Sequence, residues 1–121
     1  MATTKEALTK LTEIDGFIGA CIVDSNSGMM LGSIGGSGQL NLELASAGNT
    51  EVVRSKRKTM KALALNDQIE DILITLGRQY HLIRPLATND ALFIYVALDR
   101  SKANLALARH MLTGAEKDLV V

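Results

Sequence analysis

The sequence predicts an α+β domain in which helices cover a sheet, in the order α-β-β-α-β-β-β-α. Two runs, Phe17 to Val23 and Ala91 to Leu98, are hydrophobic throughout and contain no charged residue, so both strands must be covered on both faces, as in the middle of a sheet. Between the first two strands, Asp24 to Gly28 supplies turn-forming side chains and a glycine, which predicts a hairpin. The first and last helices are short and apolar on one side, which favours their lying together on one sheet face.

The first helix has the spacing of a capping box, with Thr3 as the cap and Glu6 reaching back to the free amides. Apolar side chains then recur at helical spacing until Asp15-Gly16, which is predicted to end the helix. After the hairpin, Met29 to Ile34 forms the second strand. The glycine-rich stretch from Gly35 to Gly38 links this strand to the next helix.

A long helical pattern runs from about Leu40 to Ala64, and three further strands follow it. These strands are predicted at Ile69–Leu76, Tyr80–Leu86 and Ala91–Leu98. Pro85 cannot donate a ladder hydrogen bond, which favours a position at a strand end. The last helix is expected to begin after a cap at Asp99 or Ser101 and to end at Gly114.

Composition predicts one domain spanning residues 1–121, since 121 residues with 47% hydrophobic side chains can enclose a single core. Thirteen basic and thirteen acidic residues cancel, which argues against a nucleic-acid or membrane-surface partner. The single cysteine, Cys21, lies in an apolar strand and is expected to act as a small buried hydrophobe. No apolar stretch is long enough to span a bilayer, so we expect a cytoplasmic protein.

On a helical wheel at about 100° per residue, the long helix divides into three arcs. A large apolar arc is expected to pack on the sheet: Leu42, Ala45, Val53, Met60 and Ala64, with Leu63 at its edge and Lys56 falling inside it. An adjacent arc consists mostly of small residues: Leu44, Gly48, Val52, Ser55 and Thr59. Small side chains let another helix approach closely, so this arc predicts helix pairing between subunits, the alternative being a contact within the chain.

The third arc is basic: Arg54, Arg57, Lys58 and Lys61. These cations complement the helix macrodipole and fit a solvated face, and a partner-binding patch is the alternative interpretation. Among candidate catalytic groups, His81 and His110 stand on different elements, and Glu70-Asp71 would point to opposite faces of a strand. The stretch Gly35 to Gly38 lacks the ending of a phosphate-binding loop. The sequence therefore predicts no enzyme, no cofactor and no metal site.

Three segments resemble the Roadblock/dynein light chain domain family. They are Ile14-Asp15-Gly16-Phe17-Ile18-Gly19-Ala20, the turn from Val23-Asp24 to Gly28, and Asn104-Leu105-Ala106-Leu107-Ala108-Arg109. The resemblance implies a profilin-like, three-layer fold: a five-stranded antiparallel sheet with two helices on one face and the long helix on the other. It also implies dimers in which the long helices pair and the third strands join the sheets edge to edge.

Mapped onto this sequence, the expected dimer interface is Leu44, Gly48, Val52, Ser55, Thr59, Ile69, Asp71, Leu73 and Thr75. Because relatives serve GTPase regulation in bacteria and scaffolds in eukaryotes, the resemblance implies a homodimeric adaptor that binds another protein, with a small Ras-like GTPase as the expected partner class. A small-molecule-sensing domain and a structural polarity or motor scaffold are the alternatives, and a heterodimer with a sister subunit stays open.

Overall fold

The computed structural model describes residues 2–120 and confirms the predicted order of elements. The elements are α1 (Thr4–Leu11), β1 (Phe17–Asp24), β2 (Met29–Gly35), α2 (Leu42–Ala62), β3 (Ile72–Thr75), β4 (Gln79–Pro85), β5 (Leu92–Asp99) and α3 (Leu105–Asp118). The strands form one antiparallel sheet in the order β2-β1-β5-β4-β3. The two apolar runs thus occupy adjacent interior positions, as predicted, and β2 and β3 are the edges.

Alternating side chains of the central strands fill two separate cores. Ile22, Ile94 and Val96 join α1 and α3 in the core on one face, which confirms that the first and last helices share that face. Cys21, Phe93 and Tyr95 join α2 in the core on the other face. Cys21 is fully buried, and burial raises the pKa of its thiol to about 12, so it behaves as the small hydrophobe that the sequence predicts.

Local hydrogen bonds form the predicted hairpin and the first helix cap. The backbone N–H of Gly28 donates to the Asp24 carbonyl at 2.7 Å, and Gly28 adopts a φ of 79°, which glycine tolerates. At the start of α1, the Thr3 hydroxyl accepts from the Glu6 amide and the Glu6 carboxylate accepts from the Thr3 amide. The capping box is therefore present. The helix ends at Leu11, before the predicted stop at Asp15-Gly16.

Both predicted ends of the last helix are wrong. Asn104 is the cap, because its Oδ1 accepts from the Leu107 amide at 3.0 Å. Asp99 and Ser101 instead bond to each other in the preceding turn. The helix continues past Gly114 to Asp118, and the chain that follows it pairs with the N-terminal segment through a backbone bond from Val120 to Ala2 of 2.8 Å.

The third strand is shorter than the predicted Ile69 to Leu76, since only Ile72 to Thr75 pair with β4. Continuing the register of this pairing would place Glu70 opposite Pro85. Proline has no N–H to donate, so the ladder stops there.

The face of α2 that packs on the sheet also differs from the predicted arc. The buried residues are Leu42, Ser46, Thr50 and Val53, whereas Lys56, Leu63 and Ala64 are exposed. Ser46 and Thr50 tolerate burial because their hydroxyls donate to helix carbonyls, at 2.8 Å for Glu43 and 2.7 Å for Ser46. Around the helix axis, the buried face therefore lies farther from Lys56 than the predicted apolar arc does. Within residues 2–120, no helix combines the length and apolarity needed to cross a membrane.

Candidate protein-interaction surface

The outward face of α2 carries the first part of the candidate surface. Leu44 is 71% exposed near one end of the helix, and Leu63 is 62% exposed just past the other end. Between them, Gly48, Ser55 and Thr59 are exposed. A row of small residues between two exposed leucines is typical of a helix surface that packs against a second helix rather than facing solvent. We call Leu44, Gly48, Val52, Ser55, Thr59 and Leu63 the α2 stripe.

Val52, the remaining member of the stripe, is half-buried, because it packs against the core beneath α2. Leu63 was not in the predicted interface. Its position four residues after Thr59, and eleven after Val52, places it in line with the stripe on a wheel at about 100° per residue.

The open edge of β3 is the second part. The Leu76 amide donates to the Gln79 carbonyl at 2.9 Å, which fixes the hydrogen-bonded pairs of the β3–β4 ladder. Because such pairs alternate along an antiparallel ladder, the backbone N–H and C=O groups of Leu73 and Thr75 point away from β4. This edge of the sheet has no neighbouring strand within residues 2–120. It therefore offers hydrogen-bonding groups to an added strand.

The third part is the sheet surface between α2 and that edge. Within the chain, α2 packs over β1 and β2. Ile72, Ile74 and His81, on β3 and β4, are only half-buried on the same face. These residues are absent from the predicted interface. Alternation along a strand could have identified Ile72 and Ile74, because their side chains must face the opposite side of β3 from those of the predicted Leu73 and Thr75.

His81 belongs to a polar chain that crosses this surface. Its Nδ1 lies 3.1 Å from the Tyr95 hydroxyl, its Nε2 lies 2.7 Å from Gln79 Oε1, and its ring packs edge-on against Tyr95 at 87°. Burial lowers the pKa of His81 and raises that of Tyr95 to about 12. Both side chains are therefore neutral near pH 7. A neutral polar chain can be covered by a partner without burying charge.

Two other predicted interface residues, Ile69 and Asp71, precede β3 rather than belonging to it. Ile69 is half-buried. The Asp71 carboxylate accepts from Arg109 at 3.0 and 3.2 Å, on the α3 side of the sheet. The outward backbone groups of Leu73 and Thr75 belong to the candidate surface, whereas the side chains of Leu73 and Asp71 lie on the α1–α3 side of the sheet.

The basic arc of α2 divides into two pairs. Arg54 donates to the carbonyls of Ser25 and Asn26 at 2.8 and 2.6 Å, and Arg57 donates to that of Asp90 at 2.6 Å. These arginines fix α2 to two loops at one end of the sheet. Lys58 and Lys61 lie on the same arc and are both exposed, with Lys61 one residue before the end of the helix. A partner patch on this arc would therefore depend on the two lysines.

Residues 2–120 contain no cluster of three or more histidine, cysteine, aspartate or glutamate side chains able to hold a metal ion. A ligand-sensing domain would need space between the sheet and α2, where Cys21, Val53 and Phe93 are at most 1% exposed. An open cavity of about 770 Å³ lies elsewhere, between the end of α2 and the loops that flank β3 and β5. Arg57 and Lys61 line it.

Known proteins match this chain in structure but not in sequence. No protein-family model matches it, and no curated protein sequence does. Myxococcus xanthus MglB superposes with a TM-score of 0.79 at 14% identity, over 92% of this chain and 86% of that one. A Roadblock/LC7 domain from Streptomyces avermitilis gives 0.77 at 10% identity, over 92% and 89%. The chain has the Roadblock/LC7 fold.

A further structure, Myxococcus xanthus MglC, matches with a TM-score of 0.59 at 13% identity, over 93% of this chain and 92% of that one. The three-layer arrangement that the resemblance implied is therefore confirmed, with α1 and α3 on one face and α2 on the other. At identities this low, the matches show the fold.

Proposed function

We propose that this protein forms a homodimer through the α2 stripe and the open edge of β3. The carrying observation is that α2 packs most closely on β1 and β2 and leaves Ile72, Ile74 and His81, on β3 and β4, half-buried on the same face. A helix with its side chains is about 10 Å wide and neighbouring strands are about 4.8 Å apart, so one helix covers roughly two strands. The other face of this five-stranded sheet has two helices. A second α2, from a partner subunit, supplies the missing helix.

A two-fold axis perpendicular to the sheet, beside β3, satisfies all three parts of the surface. Antiparallel pairing of the two β3 strands uses the outward backbone groups of Leu73 and Thr75. The same rotation makes the two α2 helices antiparallel and brings them toward each other above Ile72 and Ile74, since the second half of α2 reaches the β4–β5 loop and the segment before β3. Leu44 of one subunit then lies toward the partner subunit's Leu63, across the small residues in the middle of the stripe. Such an interface should bury on the order of 1,600 Å² in total.

The dimer is tested at two helical glycines, each with open space where a side chain would begin. A Cβ at Gly48 or at Gly114 meets no atom within 4 Å, so arginine fits at either position in a single subunit. Gly48 lies in the α2 stripe and Gly114 lies on α3, across the sheet. Gly48→Arg should weaken dimerisation about a hundredfold or more, by filling the gap between the helices.

Light scattering after size-exclusion chromatography, over a series of protein concentrations, measures the mass, and circular dichroism checks the fold. Gly114→Arg is the control and should stay dimeric. A dimer of unchanged stability in Gly48→Arg would contradict the proposed interface. A wild-type protein that is monomeric at every concentration would contradict the dimer itself.

We further propose that the dimer is a protein-binding regulator whose partner is a small Ras-like GTPase. The Roadblock/LC7 fold supports this proposal, because the family resemblance implies that partner class. The two arginines on α2 are held by backbone carbonyls of their own chain, so neither is free to reach into a partner's nucleotide site. If the dimer changes GTP hydrolysis, it does so by ordering the partner's switch segments.

The test is a titration of the dimer against Ras-like GTPases encoded near its gene, each loaded with GDP or with a non-hydrolysable GTP analogue. Binding and GTP turnover are read on the same samples. The double variant Lys58→Glu with Lys61→Glu should weaken binding about tenfold or more if these lysines contact the partner. Lys102→Glu with Lys117→Glu changes the charge equally on the α3 side and serves as the control.

Binding with unchanged turnover would favour a scaffold over a regulator of hydrolysis. Binding to no GTPase in either nucleotide state would contradict this part of the proposal and leave the dimer untouched. A pull-down from the source cells would then identify the partners of a structural scaffold.

A further inference from the structure

The second edge of the sheet, β2, lacks the charged residues and proline that commonly protect an exposed strand. Sheet edges in monomeric proteins are commonly guarded by charged residues or proline, which discourage pairing with other chains. The sequence from Ser25 to Leu42 contains neither a charged residue nor a proline. The β3 edge differs, because Glu70, Asp71 and Arg78 flank it. Only a bulge at Leu31 interrupts the β2 pairing with β1.

The side chains and backbone of β2 are available to a partner. Met29 is 69% exposed and Leu31 is 49% exposed. The Gly36 amide donates to the Ile18 carbonyl at 2.9 Å, which fixes the hydrogen-bonded pairs of the β1–β2 ladder. By alternation, the backbone groups of Ser33 and Gly35 point outward, away from β1. The strand therefore presents apolar side chains beside free hydrogen-bonding groups.

A groove of about 410 Å³ runs between α1 and this edge. Leu8, Leu31 and Ile34 contribute apolar walls, and Gly32 forms part of the floor. A Cβ at Gly32 would lie 2.8 Å from the Thr4 methyl group, so the absence of a side chain there lets α1 sit close to the strand and leaves the groove beside it. The groove has room for a side chain of leucine size.

We propose that β2 pairs antiparallel with β2 of a second copy, with Leu31 of each copy seated in the other's groove. Pairing centred on Ser33 aligns Leu31 with the partner's Gly35, next to the strand residues that line the partner's groove. A two-fold symmetric interface needs a projection and a matching recess on the same patch, and Leu31 with its groove supplies both. The strand itself carries no charged residue, and within residues 2–120 Lys5 of α1 is the one charged side chain that lines the groove.

This contact lies at the opposite sheet edge from the proposed α2–β3 interface. The two interfaces can therefore form together, and where the proposed dimer exists, pairing through β2 joins one dimer to the next. Each dimer then has two free β2 edges, so the assembly grows in steps of two copies. The stepwise growth rests on the proposed dimer, whereas the β2 contact itself does not.

The experiment measures particle mass by light scattering and mass photometry over a wide range of protein concentrations. The wild type should grow from dimers to tetramers and beyond as the concentration rises. Leu31→Lys should raise the concentration needed for this growth about a hundredfold or more, because it places a charge in an apolar groove. Leu107→Lys is the matched control, since Leu107 is also half-exposed but lies on α3. It should assemble as the wild type does.

A second variant separates pairing from side-chain packing. Ser33→Pro removes a backbone N–H that points outward, so the β1–β2 ladder keeps its own bonds while the added strand loses one. It should also stop assembly at the dimer, and circular dichroism should show an intact fold in at least one of the two variants.

Three outcomes decide between the interfaces. In the first outcome, the wild type stays dimeric at the highest concentrations, and Gly48→Arg disrupts this dimer whereas Leu31→Lys does not. This result overturns the β2 contact and supports the α2–β3 dimer. Assembly that persists in Leu31→Lys and Ser33→Pro overturns the β2 contact as well. A dimeric wild type that Leu31→Lys, but not Gly48→Arg, converts to monomers supports the β2 contact and contradicts the proposed α2–β3 dimer.

Discussion

The two faces of the sheet are formed by the same apolar strands but differ in how completely helices cover them. On one face, α1 and α3 close a continuous core, and two ion pairs hold α3 to neighbouring strands and loops. On the other face, α2 packs most closely on β1 and β2 and leaves Ile72, Ile74 and His81 half-buried. The first face serves the stability of one chain. The second face has a single helix and is the one that we propose for association, and a series of paired substitutions tests this difference.

The largest effect is expected from removing a large side chain on each face. Leu112 is 1% exposed in the α3 core, so Leu112→Ala should lower the free energy of unfolding by about 3 kcal/mol. Leu44→Ala, on the α2 stripe, should change it by less than about 0.5 kcal/mol at protein concentrations low enough to give monomers. Urea unfolding measures both. A loss at Leu44 that equals the loss at Leu112 would show that the α2 face is closed within one chain.

Ion pairs on the two faces should differ in the same sense. Glu116 binds Arg84 at 2.5 Å with side chains only 9% and 15% exposed, and it also accepts from the Ala87 amide. Glu116→Ala leaves the arginine unpaired and should cost about 3 kcal/mol. Glu51→Ala breaks an exposed pair with Arg54 on α2 and should cost a few tenths of a kcal/mol at most. Equal costs in urea unfolding would contradict the comparison.

The end of α2 offers a stabilising change. Ala64 has a φ of 56°, and the Leu65 amide donates to the Met60 carbonyl at 3.0 Å, the arrangement in which glycine is the preferred residue. Ala64→Gly should therefore raise the free energy of unfolding by about 1 kcal/mol, because glycine avoids the steric cost of the left-handed conformation. Ala62→Gly, two residues earlier within the helix, should instead lower it by a similar amount. Thermal or urea unfolding distinguishes the two signs.

The smallest expected effect is a pH dependence on the α2 face. Burial lowers the pKa of His81 in the folded protein, so the unfolded chain binds the proton more readily. The contribution of neutral His81 is present above the unfolded value of about 6.5 and is lost as the pH falls below it. His81→Gln should remove this part of the slope. Unfolding curves of both proteins between about pH 7.5 and 5 should converge or cross on the acid side, and parallel curves would contradict the assignment.

Much of the fold was predictable because its signals are local. The unbroken apolar runs identified β1 and β5 as central strands, and the Thr3–Glu6 spacing identified a capping box that the structure contains. The turn after Asp24 and the strand-ending position of Pro85 were likewise readable from single residue types. Each of these features depends on a residue's own backbone preferences or on neighbours a few positions away.

The errors fall where distant segments compete. Asn104 rather than Asp99 or Ser101 caps α3, because those two residues form a turn that closes the end of β5. The face of α2 that packs on the sheet includes Ser46 and Thr50, which a hydropathy pattern assigns to solvent. Their burial is possible because each hydroxyl donates a hydrogen bond to a carbonyl of the same helix. The two arginines of the basic arc are held by loops that follow β1 and β4, which no spacing within the helix could reveal.

The sequence by itself determined the eight elements, their order and the capacity of the central strands to be buried on both sides. These follow from periodicity and turn chemistry, which act over a few residues. Only the tertiary structure decided which strands α2 packs on most closely, and therefore which side chains on that face stay half-buried. That choice depends on how a helix of fixed width is positioned across five strands, and no short stretch of sequence carries it.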